Sequence, residues 1–255
     1  MYKFGKRPRK WDERNIRLRW VLKVLPPIPD KFDIDSTLPG VIPTPMFAND
    51  RKGDCVIAGR AHQTLRFEDF EQKTIIPITD DEILEQYYKE GTHNCCLLKW
   101  LDPEPDRGLV LLDSLKSWRK DGWIAGGKHY DIYAFAEIDA LFQGEIRASI
   151  FLLNGINMGL RLPHSAIEQF QQRQTWDLVL NDGGIVGGHC VYGVAYDTQG
   201  VTCVTWARKQ KMTWPFFYTY CDECYAVLDN RDKWLGDESP VNVEMLDRYL
   251  KEITA

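Results

Sequence analysis

The chain has 255 residues, 44% of them hydrophobic, with 32 basic against 37 acidic side chains and a net charge of -5. That much apolar material supports a large core, and a charged fraction of 27% without repeats or biased runs excludes a disordered or fibrous chain. The acidic balance excludes charge-driven binding to nucleic acid or anionic lipid, and no run approaches the ~20 apolar residues that span a bilayer.

Residues 1–45 read as an extended arm. Prolines at 26, 27, 29, 39, 43 and 45 punctuate it and forbid a long helix. Its basic cluster, Lys3, Lys6, Arg7, Arg9 and Lys10, reads as a solvated tail. Met1 to Arg19 is polar and carries no apolar signal-peptide core, so a cytoplasmic location is expected. The chain has 7 cysteines, an odd number that points to free thiols in a reducing compartment.

Asn49 to Asp54 is loop material that runs directly into an apolar stretch beginning at Cys55. The spacing of Val56, Ile57, Ala61, Leu65 and Phe67 predicts a buried helix, with Asp54 where a capping residue would sit. Amphipathic helices are predicted over 80–90, 109–120 and 145–153. Residues 156–162 suit a strand and 165–173 a short helix. The runs 189–196 and 201–206 flank Asp197-Thr-Gln-Gly200 and read as a β-hairpin, and 225–228 suits a further strand. Helices then strands along one chain mean α+β. The division is an arm at 1–45, a helical part at 46–145 and a β-rich part at 146–255.

A nucleophilic cysteine needs a lowered pKa, a base within reach and donors for the oxyanion formed on attack. At the first position of a buried helix, Cys55 would face unpaired backbone N–H groups and the positive end of the helix dipole. The base must come from elsewhere. His62 lies two helical turns away, about 10 Å along the axis, and reads as a packing residue. His93 and His129 sit in polar loops and read as solvated, and His164, just before a helix, reads as structural. His189 opens a strand after Gly183-Gly-Ile-Val-Gly-Gly188, where glycines let a substrate or another backbone come close.

With Asn49 six positions before the thiol, Gly53-Asp54 immediately before it and His189 134 residues after it, the chain resembles the papain family of cysteine proteases. The separation fits the ~130–150 residues between the family's Cys and His, and a helical half with Cys before a β half with His is the family's order. The resemblance implies a papain-like fold in which Cys55 attacks a carbonyl carbon. His189 would hold the thiolate and protonate the leaving amine, and the Asn49 amide with the Cys55 N–H would form the oxyanion hole. Two positions depart from the pattern. Asn49 replaces a longer glutamine. Where the family has Asn-Ser-Trp, this chain has Val204-Thr205-Trp206, so Thr205 is the expected orienter of the imidazole, with Asp182 a second candidate and Trp206 a shield. The 54 residues before Cys55 are short for the family's inhibitory propeptide, so the arm is expected to pack across the surface.

The expected activity is cleavage of peptide (amide) bonds in a peptide or protein substrate, without cofactor or metal. Amidase and transamidase chemistry use the same pair. The alternative is a catalytically inert papain-like binding or structural protein, for instance a virion-associated one. The Cys221-Asp-Glu-Cys224 pair lacks the second ligand pair of a structural zinc site and reads as two buried thiols on a helical turn; Cys95-Cys96 reads as structural. Oligomeric state is not legible.

Overall fold

The computed structural model describes residues 2–23, 27–92, 106–229 and 239–254; His93, Cys95 and Cys96 lie outside them. The proline-rich arm holds little regular structure: α1 (Leu18–Val21), β1 (Phe32–Asp33) and one 3-10 turn at Ile34–Ser36. The helical part follows as α2 (Cys55–Gln72), α3 (Asp80–Thr92) and α4 (Leu111–Asp121), then the hairpin β2 (Trp123–Ala125) and β3 (Lys128–Tyr130). Next come β4 (Ile132–Glu137), α5 (Gln143–Leu152), β5 (Ile156–Pro163), α6 (His164–Gln171) and β6 (Ile185–Tyr196). The remainder is β7 (Gly200–Thr205), β8 (Arg208–Thr213), α7 (Trp214–Tyr220), β9 (Cys221–Asp229) and α8 (Val243–Thr254). No helix of the described residues is long and apolar enough to cross a membrane.

Helix α2 begins at Cys55, as the spacing predicts, and every residue from Cys55 to Asp69 is buried. A helix enclosed on all sides needs partners for its polar side chains. Arg60 donates to Glu90 Oε1 at 2.7 Å and to the Ser114 carbonyl at 2.8 Å. Arg66 forms a bidentate pair with Asp35 at 2.7 and 2.9 Å, which ties the arm to the middle of the helix. Gln63 accepts from the Asn157 amide of β5. The helix packs against β6, with Gly59 facing Cys190 and Val191.

Apart from the separate β2-β3 pair, the described strands form one antiparallel sheet in the order β4-β9-β5-β6-β7-β8, with β1 added beside β6. Strand β6 is its long central member. It pairs His189 opposite Leu160 and Cys190 opposite Gly159 on β5, and Tyr192 opposite Val204 on β7. The predicted hairpin runs 189–196 and 201–205 and the 225–228 strand appear inside longer strands, while Trp206, expected in the hairpin, lies in the turn after β7.

Three features differ from the sequence reading. Strand β4 precedes residue 145 yet belongs to the sheet, pairing Phe135 with Val227 of β9. Strand β8, Arg208-Lys-Gln-Lys-Met-Thr, hides its pattern because its two buried residues are Gln210 and Met212. Cys221 and Cys224 lie on β9 rather than on a helical turn, because the apolar run from Tyr225 to Leu228 extends backward through them. The architecture is nevertheless α+β, helical first and antiparallel second.

Candidate active site

Four segments meet around Cys55. The first is the loop 46–54, where Phe47 and Ala48 adopt left-handed backbone at φ 53° and 63°. Such angles are costly for residues with a Cβ and persist only where the surroundings enforce them. They turn the chain so that Asn49 and Asp54 lie inside and Cys55 opens α2. Asp54 occupies the cap position, but its side chain makes no capping hydrogen bond. Its Oδ1 instead accepts from the Asn49 amide at 2.9 Å, and the same nitrogen reaches the Lys52 carbonyl at 3.1 Å. Asn49 therefore borders the site with its amide hydrogens engaged within its own loop.

Burial pushes the Asp54 carboxyl up to about 8, against the opposing hydrogen bond from Asn49. The folded protein thus holds a proton there that the unfolded chain releases near pH 4. Folding takes up that proton, so Asp54 lowers stability progressively as pH rises from about 4 to about 8. Asp54→Asn should remove that decline, leaving the variant more stable than the parent by roughly 5 kcal/mol at pH 8 and nearly equal at pH 4. Urea unfolding midpoints at the two pH values check this; a constant difference between the two proteins contradicts it.

The second segment is β6. The Cys190 backbone N–H donates to Cys55 Sγ at 3.3 Å. His189 is buried, and its Nε2 lies 2.6 Å from Thr205 Oγ1, supplied by the third segment, β7. Its Nδ1 is buried, with no hydrogen-bond partner among the described residues. The imidazole stacks on the Trp206 indole, with centroids 4.1 Å apart and planes 17° from parallel. Trp206 and Ala207 form the β7–β8 turn in left-handed backbone, at φ 41° and 64°. That turn places the indole flat against the imidazole. Cys55, Asn49, His62, His189, Thr205 and Trp206 all border one residual cavity of about 10 Å³, at the threshold for a single water.

The fourth segment is the arm, and it does not pack across an outer surface. Residues 3–7 thread between the helical part and the sheet. Lys3 N–H donates to the Asn49 carbonyl at 3.2 Å, and Gly5 and Lys6 N–H donate to the Gly188 carbonyl at 3.2 and 3.0 Å. Leu109 N–H donates to the Gly5 carbonyl at 2.7 Å, and Arg7 N–H to the Leu109 carbonyl at 2.8 Å. The glycines before His189 serve this approach: a Cβ at Gly188 would sit 2.1 Å from the Lys6 carbonyl oxygen. Phe4 meets the His189 ring edge-on at 6.2 Å, and Tyr2 stacks on Trp206 at 4.7 Å.

With the cleft filled, Cys55 is 1% exposed. Burial pushes its thiol up to about 11, and hydrogen bonding from Cys190, Gly5 and Lys6 offsets only part of that. Burial likewise lowers His189 to about 3. In this closed arrangement the two groups are a neutral thiol and a neutral imidazole.

Of the other candidates, His62 borders the same cavity and the rest lie elsewhere. Asp182 accepts from Tyr220 Oη at 2.6 Å and from the Gly184 N–H at 2.9 Å, and Thr205 takes the position beside His189. His62 is buried against Phe47 at 5.0 Å. His129 is exposed, its Nε2 2.9 Å from the Asp121 carbonyl. His164 is exposed at the start of α6. Two participants escaped the sequence reading: the Cys190 N–H and arm residues Phe4 to Lys6. The run of glycines at 183–188 was the available signal, since it called for a close-lying backbone without saying which.

No known family profile matches the chain, and no curated protein matches it by sequence. Solved structures do match by shape. Xylellain, a cysteine protease from Xylella fastidiosa, is 14% identical with a TM-score of 0.69 over 90% of this chain and 97% of its own. The Carica candamarcensis cysteine protease CMS1MS2 is 11% identical, TM-score 0.55, over 80% of this chain and 100% of its own. Digestive procathepsin L 3 of Tenebrio molitor is 9% identical, TM-score 0.56, over 88% and 75%. The fold is papain-like.

Proposed function

We propose that this papain-like chain is a cysteine hydrolase that cleaves amide bonds of peptide or protein substrates through Cys55 and His189. The observation that carries the reading is the buried, unpartnered Nδ1 of His189 on the cavity that Cys55 also borders, with the opposite ring nitrogen held by Thr205. An unsatisfied buried nitrogen costs stability; His62 Nδ1 on the same cavity is also unpartnered among the described residues, and the contact with Thr205 is what singles out His189.

In the proposed mechanism the imidazole donates its Nε2 proton to the Thr205 hydroxyl, which leaves the Nδ1 lone pair as the base. Once the arm has left and water enters, burial no longer holds the thiol above its ordinary range. Nδ1 takes the thiol proton, and the thiolate is held by the Cys190 N–H and by the positive end of α2. The sulfur attacks the carbonyl carbon, and the Cys55 N–H faces the developing oxyanion, joined by the Asn49 amide if that side chain turns from Asp54. The imidazolium then protonates the departing nitrogen as the C–N bond breaks, leaving a thioester on Cys55. Water attacks the thioester with His189 again as base, releasing the acid. The occupied cleft is the resting form of the enzyme.

Intact-mass spectrometry after mixing with activated ester and peptide substrates tests the reading. A single acyl adduct should appear on Cys55 and decay as hydrolysed product accumulates. An adduct on another cysteine, or no adduct once the arm has been displaced, overturns it.

A further inference from the structure

We infer that the acidic pocket now filled by Lys6 is a recognition pocket for a basic side chain of the substrate, an assignment that rests on the hydrolase reading above.

The Lys6 side chain is 1% exposed and is the arm's deepest charged contact. Its ammonium lies 2.7 and 2.9 Å from the two oxygens of Asp222 and 2.9 Å from Glu223 Oε1. Its methylenes lie over Gly159, where an added Cβ would sit 2.1 Å from Lys6 Cε, so the missing side chain at 159 is what gives the pocket its depth. The floor is fixed to the catalytic pair by strand register: Gly159 stands opposite Cys190, and Leu160 opposite His189. The Lys6 backbone donates to Gly188, the residue before His189. A side chain that enters this pocket therefore leaves a backbone that passes directly over Cys55.

Two carboxylates facing one ammonium leave a surplus negative charge, with Glu223 fully buried and Asp222 20% exposed at the rim. Arg9 adds a bond from Nη1 to the Asp222 carbonyl at 3.0 Å, and Arg9 belongs to the same arm. When the arm departs, both cations go with it. A lysine or arginine delivered by the substrate restores the pairing, whereas a neutral side chain leaves a buried carboxylate without a partner. The substrate class is thus a peptide with Lys or Arg within two residues of the cleaved bond, and Lys6 holds that place in the resting enzyme.

The test uses full-length Lys6→Ala protein and a scanning set of peptides in which lysine or its neutral isostere norleucine occupies each position near the cleaved bond. One lysine peptide should exceed its norleucine partner in kcat/KM by at least about tenfold, and Asp222→Asn or Glu223→Gln on the same background should bring the ratio toward 1. If Glu223→Gln fails to fold, the rim variant Asp222→Asn still decides. The same peptide pairs are titrated against the Cys55→Ala/Lys6→Ala double variant to read affinity without chemistry. Cleavage with equal rates for lysine and norleucine at every position overturns the pocket assignment and leaves the hydrolase standing. Tighter binding of one lysine peptide with no cleavage by any protein supports the pocket and removes the hydrolase.

Discussion

Alanine at Cys55 is expected to lower kcat/KM for peptide hydrolysis by at least about 10⁴-fold, and alanine at His189 by at least about 10³-fold. The two residues act as one unit, because the imidazole has no proton to take once the sulfur is gone. The double variant should therefore lose no more than Cys55→Ala alone. Thr205→Val keeps the volume but removes the hydroxyl 2.6 Å from Nε2, and should cost about tenfold in kcat with KM unchanged. These rates are to be compared on a background in which the cleft is open. Additive losses, or a Cys55→Ala protein that retains activity, would place the chemistry on a different residue.

The second expected result is that Gly5→Ala opens the cleft. A Cβ on Gly5 would lie 1.6 Å from the Gly53 carbonyl oxygen and 2.2 Å from its carbon. Both are backbone atoms of the loop that launches α2, so no side-chain rotation relieves the clash. The arm must move, and its N–H bonds to Gly188 and its shielding of Cys55 go with it. The thiol, held at about 11 by burial, should then fall toward its ordinary value near 8.5. At pH 7.5 that raises the thiolate fraction, and hence the rate of alkylation by iodoacetamide, by about 10²-fold. Peptide mapping after a short pulse should find the label on Cys55 in Gly5→Ala and little label in the parent. Equal labelling of the two proteins would mean that the arm does not gate the thiol.

The parts of this architecture that were legible in the sequence are those encoded by neighbours along the chain. Cys55 at a helix start follows from Gly53-Asp54 and the apolar spacing after it, and the hairpin holding His189 follows from two β-rich runs around Asp197-Thr-Gln-Gly200. Thr205 and Trp206 came from the resemblance instead, as the residues standing where the papain family has Asn-Ser-Trp. What escaped was set by contacts distant in sequence. The arm's Lys3, Lys6 and Arg7 have the composition of a solvated tail, and only a partner 216 residues away, Asp222, turns Lys6 into a buried group. Asp54 has the residue type and position of a helix cap, but the inward turn of the loop gives its carboxylate to Asn49. In β8 the lysines that face outward mask a strand whose inward positions are Gln210 and Met212.

The segment that seals the cleft lies more than 100 residues upstream of its docking sites on Leu109, Gly188 and Asp222, and is synthesised before them. Contacts that far apart in sequence close slowly, after the helices and hairpins have formed from local pairs. A nascent molecule thus passes through a stage in which the sheet and α2 are assembled while the thiol still faces solvent.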